Sequence, residues 1–196
     1  MANATLATPN YLVDPGVLYF AVVGTPLPAN TVGGSVFTDT WASAGAWVQL
    51  GMTETGSDID VNDTASPIAA AERREPLGYQ ITTRTTTITF SLKGYTASNL
   101  ARAYNGATTA VTGTGATTLT KVSLPTPGAE TRFMLGWEST DSTVRWVAYQ
   151  CLNTGSKKMS FAKAPATALI PFTAMGELSS TYGQASDFWF AGANRA

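Results

Sequence analysis

A threonine-rich stretch of unusual length limits the fold of this chain more than any other feature. It runs from Tyr79 to Lys93 as YQITTRTTTITFSLK. Beyond Ile81, one side of its two-residue period is polar throughout, and the other turns apolar only from Ile88 onward. The side that is polar throughout carries Thr83, Thr85, Thr87, Thr89 and Ser91. A typical strand has about 5–6 residues, so we predict one long strand that leaves its own domain to pair with something outside it.

A short helix is predicted directly after this strand. Thr96 is a suitable N-cap, and Leu100, Ala103 and Tyr104 fall on one helical stripe. Gly106 stands where a left-handed residue ends many helices. A helix of about two turns is marginal alone, so we expect its stripe to pack on a sheet.

Further strands are predicted where apolar residues alternate between turn signals. We expect a hairpin of Trp47–Met52 and Gly56–Val61 with Thr53–Thr55 as its turn. Three later strands are predicted at Arg132–Glu138, Val144–Leu152 and Ala168–Leu178, the last with Ala168, Ile170, Phe172, Ala174 and Leu178 on one side. The fold class is therefore mainly β, a β-sandwich or barrel with one short flanking α-helix and a long hairpin or loop.

Two polar segments are predicted to be connections. Asn62–Gly78 is interrupted by proline and is longer than most connections in compact domains, so we expect a functional or disordered loop there, disordered in the monomer and ordered at a contact between subunits. Ala107–Thr120 is rich in threonine, glycine and alanine, which favours a mobile insertion or a weak hairpin. No domain boundary is evident, so residues 1–196 are taken as one domain, with a C-terminal tail at 187–196.

The charge balance argues against binding to nucleic acids. The chain has 12 basic and 13 acidic residues, and only 13% of its residues are charged. Proteins that gain affinity by neutralising phosphates need clustered lysine or arginine, and no basic stripe is present.

The longest apolar run, Val17–Val23, is too short to cross a bilayer. The start has no secretory signal pattern, so we expect a cytoplasmic protein.

The side chains of most catalytic and metal sites are scarce. The chain has no histidine and only one cysteine, Cys151. This excludes Ser-His and Cys-His catalysis and any site with several thiolate ligands. Asp58, Asp60 and Asn62 resemble half of a calcium loop, but Asp63 stands where that loop needs glycine. We therefore predict no catalytic, cofactor or metal residues and no enzymatic activity.

Three consecutive aromatic residues lie near the end of the chain. Phe188, Trp189 and Phe190 follow Asp187. Three consecutive aromatic side chains near a chain end can hardly all be buried in the core of their own domain, so we predict that they contribute to an interface with a neighbour.

The order of these features resembles the major tail tube proteins of bacteriophages with long, non-contractile tails, particularly those of actinobacterial hosts. The resemblance rests on GVLYF followed by GTPLP, on WVQLGMTETG from Trp47, and on the later threonine ladder with FSL and Asn99-Leu100. It covers roughly Tyr11–Tyr182. The order and spacing carry it, since no single motif is diagnostic.

The resemblance implies a structural protein of the virion that is assembled in the host cytoplasm. It implies rings of six copies stacked on a tape-measure protein, with a tail terminator and baseplate or distal tail proteins at the ends, and strands of all subunits closing into a barrel through which DNA passes as cargo. The threonine ladder would then line or back the lumen. Charged residues of the long loop would contact the next ring: Asp63, Glu72, Arg73, Arg74 and Glu75.

A different class of function remains open from the residues alone. A β-sandwich binding module, either a virion decoration protein or a carbohydrate-binding protein, could use tryptophan and aspartate side chains at its loop tips.

Overall fold

The computed structural model describes residues 16–69, 75–157 and 168–192, and these residues form a mainly antiparallel β fold with one α-helix. Eight strands form the main sheet in the order β4-β1-β9-β10-β11-β6-β5, with β12 also paired to β10. The strands of this sheet are β1 (Gly16–Val22), β4 (Val48–Gln49), β5 (Thr53–Ile68), β6 (Gly78–Leu92), β9 (Phe133–Ser139), β10 (Val144–Asn153), β11 (Ile170–Gly176) and β12 (Ser186–Phe190). The predicted β-sandwich class with one helix is confirmed.

The sheet encloses one main core. Its inner residues come from β1, β6, β9, β10 and β11, so the alternating apolar positions of distant strands meet in one cluster. The largest members are Leu18, Ile88, Phe90, Leu92, Phe133, Leu135, Trp146, Ile170 and Phe172. Phe90 and Phe172 stack with ring centroids 4.7 Å apart. The apolar half of the threonine-rich strand is therefore the half that builds the core.

The long hairpin of β5 and β6 is the largest single feature of the fold. The prediction of a strand at 79–93 is confirmed by β6, and the predicted strand Gly56–Val61 lies within β5, but the bounds and the partner of β5 were predicted incorrectly. Thr53–Thr55 is the start of β5 and not a turn, and Val48–Gln49 pairs with β1 instead of Gly56–Val61. Asn62–Ile68, predicted to be loop, continues β5 in register with β6. Pro67 is tolerated because β5 is an edge strand among the described residues.

The helix α1 (Ala97–Ala103) follows β6 as predicted. The Thr96 side chain accepts a hydrogen bond from the Asn99 amide, which satisfies one of the amides left free at a helix start. Gly106 has a φ of 90°, the left-handed conformation predicted for it. Ala103 is buried in the main core and Leu100 packs against it, so the short helix is held by the sheet.

A second, smaller cluster lies on the opposite side of β1, β9 and β10. Trp41, Trp47, Met134, Val147 and Tyr149 are buried there beneath residues 23–47. That covering segment carries the short strands β2 (Val32–Gly33) and β3 (Val36–Phe37) and a 3-10 turn at Trp41–Ala44. One stretch of the sheet is therefore covered on both faces.

A buried ion pair fixes this covering segment to the sheet. Arg145 of β10 is 1% exposed and lies 2.9 Å (Nη1) from Asp39 Oδ2 and 3.0 Å (Nε) from Glu138 Oε2. Its guanidinium also lies over the ring of Phe37. The same Glu138 accepts a hydrogen bond from the Trp41 indole.

The threonine- and glycine-rich segment after the helix forms a separate hairpin, one of the two forms predicted for it. Strands β7 (Thr108–Thr112) and β8 (Leu119–Ser123) pair with each other and not with the main sheet.

The last three predicted strands are confirmed as β9, β10 and β11, although Leu178 is exposed and not part of the inner face of β11.

Candidate assembly surfaces

The β5–β6 hairpin has two chemically different faces. Residues paired across antiparallel strands share a face, so the register assigns each side chain. The polar face holds Asp58, Asp60, Asn62 and Thr64 of β5 opposite Thr89, Thr87, Thr85 and Thr83 of β6. The core face holds Ile59, Val61 and Asp63 opposite Ile88, Thr86 and Arg84. Only the core face continues into the apolar core of the sheet.

A β-bulge keeps the core face apolar beyond the core. Thr64 pairs with Thr83, whereas the next residue, Ala65, pairs with Ile81, so Thr82 is an extra residue in β6. Ile81 and Tyr79 share the sequence parity of Thr83 but are moved by the bulge onto the core face. Their exposed fractions are 53% and 71%, and that of Val61 is 45%. The exposed part of the core face is therefore a strip of apolar side chains that is interrupted by Asp63 and Arg84.

An ion pair lies in the middle of this strip. Arg84 donates from Nε to Asp63 Oδ1 at 2.6 Å and from Nη2 to Asp63 Oδ2 at 2.7 Å. The hydrogen bonds from Arg84 hold the pKa of Asp63 below its usual value. Asp63 was predicted as an inter-ring loop residue, but it is a strand residue whose charge is already paired within its own chain.

The polar face carries carboxylates but no basic side chain. Asp58 and Asp60 are exposed, and no lysine or arginine of the described residues forms an ion pair with either. On β11, Thr173 and Met175 continue this face beside Thr89 and Thr87. The result is a neutral to acidic surface across three strands.

The sequence prediction needs one correction for the threonine ladder. Between Thr86 and Leu92, β6 pairs with β5 on one side and with β11 on the other. Thr87, Thr89 and Ser91 therefore have no free backbone edge for another subunit, whereas Thr83 and Thr85 lie beyond the β11 pairing, in residues 78–85 of β6. All five predicted lumen residues, Thr83 to Ser91 in steps of two, do lie on the face away from the core.

The other predicted contact residues fall in different places. Glu75 is an exposed residue just before β6, while Glu72, Arg73 and Arg74 lie outside the described residues. Phe188 and Phe190 are exposed, but Trp189 between them is half-buried against the second cluster. The segment at 187–196, predicted to be a tail, begins within strand β12.

Sequence reasoning placed Asp58, Asp60 and Val61 in a predicted strand but did not assign them to an assembly surface, and it missed the face change at Thr82. The alternation of Asp58, Asp60 and Asn62 with Ile59 and Val61 indicated which side chains share a face. Nothing in the sequence marks Thr82 as a bulge among its neighbouring threonines.

The described residues offer little for catalysis. They contain no group of three or more histidine, cysteine, aspartate or glutamate side chains able to hold a metal ion. Cys151 is fully buried, and burial raises the pKa of its thiol to about 12, so the reactive thiolate is absent at neutral pH. Within the same part of the chain, no helix is long and apolar enough to cross a membrane.

Comparison with known proteins agrees with this geometry. The sequence model of the family described as "Phage tail tube protein" matches residues 12–180. A comparison with curated proteins gives no match. The family match covers most of the chain and includes the whole β5–β6 hairpin, the helix and β11. The chain therefore belongs to the phage tail tube protein family.

Proposed function

We propose that this structural protein assembles into rings of six copies, which stack into a tail tube through which DNA is ejected. The observation that carries the proposal is the β5–β6 hairpin, with one neutral to acidic face and one apolar face that extends past the core. A tube subunit needs both, since one surface meets water and moving DNA while the other meets neighbouring copies.

The polar face suits a lumen that DNA must pass without being held. Its threonine hydroxyls are neutral, and Asp58 and Asp60 repel phosphates. Phosphate binding by proteins depends on lysine and arginine, and the eight paired residues of this face include neither. Sixfold repetition would turn each carboxylate into a ring of negative charge.

The exposed strip of the core face suits contact with a neighbouring copy. Val61, Ile81 and Tyr79 would lose water on contact, which is favourable for apolar surface. The Arg84–Asp63 pair neutralises its own charges, so covering it leaves no single charge without a partner. The charged residues of the predicted loop, Glu72, Arg73, Arg74 and Glu75, would contact the next ring.

The proposed tube function implies several partners. Besides copies of itself, the tube would contact a tape-measure protein inside it, a tail terminator at one end and baseplate or distal tail proteins at the other. The protein would be assembled in the host cytoplasm and reside in the virion tail, with DNA as passing cargo.

A binding module built on exposed tryptophans is not favoured. Trp41, Trp47 and Trp146 are buried, and Trp137 and Trp189 are half-buried against the two clusters. No tryptophan is therefore available as an open stacking platform.

Genetic depletion in the phage that encodes this chain tests the function. An amber codon early in the gene should give filled heads without tails in a non-suppressing host, and a plasmid copy should restore tails. Averaged cross-sections of the restored tails should show sixfold symmetry around an open lumen. Normal tails in the amber phage without the plasmid would overturn the proposal.

A further inference from the structure

Strand β12 is firmly built into the sheet although it lies beyond the residues matched by the family. It pairs with β10 from Val144↔Phe190 to Ala148↔Ser186. Asp187 accepts hydrogen bonds from the Tyr149 hydroxyl and the Gln184 amide. Trp189 packs against the second cluster. The strand is thus a fixed part of this domain and not a loose end.

The outer edge of β12 is free among the described residues, because its only partner is β10. The register shows which residues present their backbone there. The amide of Tyr149 donates to Ala185 O at 3.0 Å, and that of Ala191 donates to Thr143 O at 2.8 Å. Since bonded and non-bonded pairs alternate in antiparallel strands, the N–H and C=O groups of Ser186, Phe188 and Phe190 point outward.

The same outward residues carry exposed phenyl rings. Phe188 is 47% exposed and Phe190 is 53% exposed. Phe188 lies beside the buried Trp146, with ring centroids 6.1 Å apart. An unpaired strand edge with exposed aromatic side chains is a surface that proteins ordinarily cover.

Ring symmetry indicates which surface covers the free edge of β12. In a closed ring each subunit uses two different surfaces, one for each neighbour. Among the described strands of the main sheet, β5 (16 residues), β12 (five) and β4 (two) each have one edge free along their whole length, and β6 is unpaired on its β11 side over residues 78–85. Of the three strands with a wholly free edge, only β5 and β12 are long enough for a ladder of several hydrogen bonds.

We propose that the free edge of β12 pairs with the free edge of β5 of a second copy, and that this pairing joins neighbours in a ring. The proposal rests on the proposed tube function. The side chains support it, because Phe188 and Phe190 lie on the core side of their sheet, as does the half-exposed Val61 of β5. Joining the two edges brings these apolar side chains together and leaves Asp58 and Asp60 on the opposite side.

A proline at position 188 tests whether the free edge of β12 pairs with a second copy. Phe188→Pro removes an outward N–H and a phenyl ring but no bond of the β10–β12 ladder, and proline is tolerated at such positions. We expect a purified monomer that melts within a few degrees of wild type, together with loss of tails in the complemented amber phage. Gln49→Pro is the matched control: the Leu50 amide bonds to Leu18 O, so the Gln49 N–H points out from the β4 edge. It should restore tails.

Photo-crosslinking identifies the occupant without relying on a proline variant. With p-benzoylphenylalanine in place of Phe188, irradiated tails should give a dimer band whose cross-linked peptide lies within Thr53–Ile68. The same amino acid in place of the aromatic Tyr182 should not link to that strand. Cross-links from position 188 to another segment, or normal tails with Phe188→Pro, would overturn the edge pairing alone. The tube function would fail separately, if the amber phage made normal tails without the plasmid.

Discussion

Arg145 Nη1 lies 2.9 Å from Asp39 Oδ2 in a site where the arginine side chain is 1% exposed. This contact joins the middle of the sheet to the segment that covers it, across 106 residues of sequence. The segment at 23–47 contains little regular structure of its own, so its position depends on the second apolar cluster and on this buried charge.

Removing the buried arginine should destabilise the monomer strongly. Arg145→Met leaves Asp39 and Glu138 without their cation, and breaking a buried pair in this way costs about 3–5 kcal/mol in the free energy of unfolding. Urea unfolding followed by tryptophan fluorescence measures it. Arg132→Met is the matched control, because Arg132 pairs with Glu177 on the surface and exposed pairs contribute only about 0–1 kcal/mol. Equal losses in the two variants would contradict the assigned role of Arg145.

The same contact predicts part of the response to acid. Burial alone would raise the pKa of Asp39, but the hydrogen bond and charge of Arg145 lower it on balance. A lowered folded-state pKa stabilises the fold above the unfolded value, about 3.9, and this contribution is lost as pH falls through the folded value. Asp39→Asn should therefore be less stable than wild type at neutral pH, with the difference shrinking below about pH 4. A difference that stays constant down to pH 2 would show that Asp39 does not titrate in this way.

The sequence predicts the two strands of the hairpin to different extents. Strand β6 was predictable because threonine and isoleucine favour strands and alternate over its whole length. Strand β5 was broken at Asn62 because asparagine, aspartate, serine and proline are poor strand formers. Pairing with β6 overrides that local preference over seven further residues, 62–68, and long-range pairing leaves no local signature.

The terminal aromatics show a similar limit. Three consecutive aromatic residues carry no alternating pattern, so the sequence does not show that Trp189 and its neighbours point to opposite sides of a strand. Nor does it show that Tyr149 and Gln184 hold Asp187, or that β12 leaves one edge free. The candidate surfaces depend on such register details, which is why the shared face of the threonine ladder was found from the sequence and the face of Ile81 and Tyr79 was not.

The bulge at Thr82 allows a test of the apolar strip with a built-in control. Inserting one threonine between Thr64 and Ala65 would give Thr82 a partner, remove the bulge and move Ile81 and Tyr79 onto the polar face. Deleting Thr82 also removes the bulge but leaves both side chains on the core face. We expect the insertion to abolish tails in the complemented amber phage and the deletion to preserve them. Both monomers should melt within a few degrees of wild type, because the register of the core residues is unchanged. If both variants restored tails equally, the strip would not be a contact surface.

The polar face makes a prediction about the speed of DNA passage. Thr85→Lys combined with Thr87→Lys would place rings of positive charge in the lumen, next to Asn62 and Asp60. Lysines attract phosphates over a screening length of about 8 Å at physiological salt and about 30 Å at 0.01 M. Tails should still assemble, since both positions are on the face away from the core, but genome ejection triggered in vitro should slow or stop, and more so at low salt. The matched control, Thr85→Glu with Thr87→Glu, adds charges of the opposite sign at the same positions and should leave ejection close to wild type. Ejection of the lysine variant at the wild-type rate in low salt would show that this face does not line the lumen.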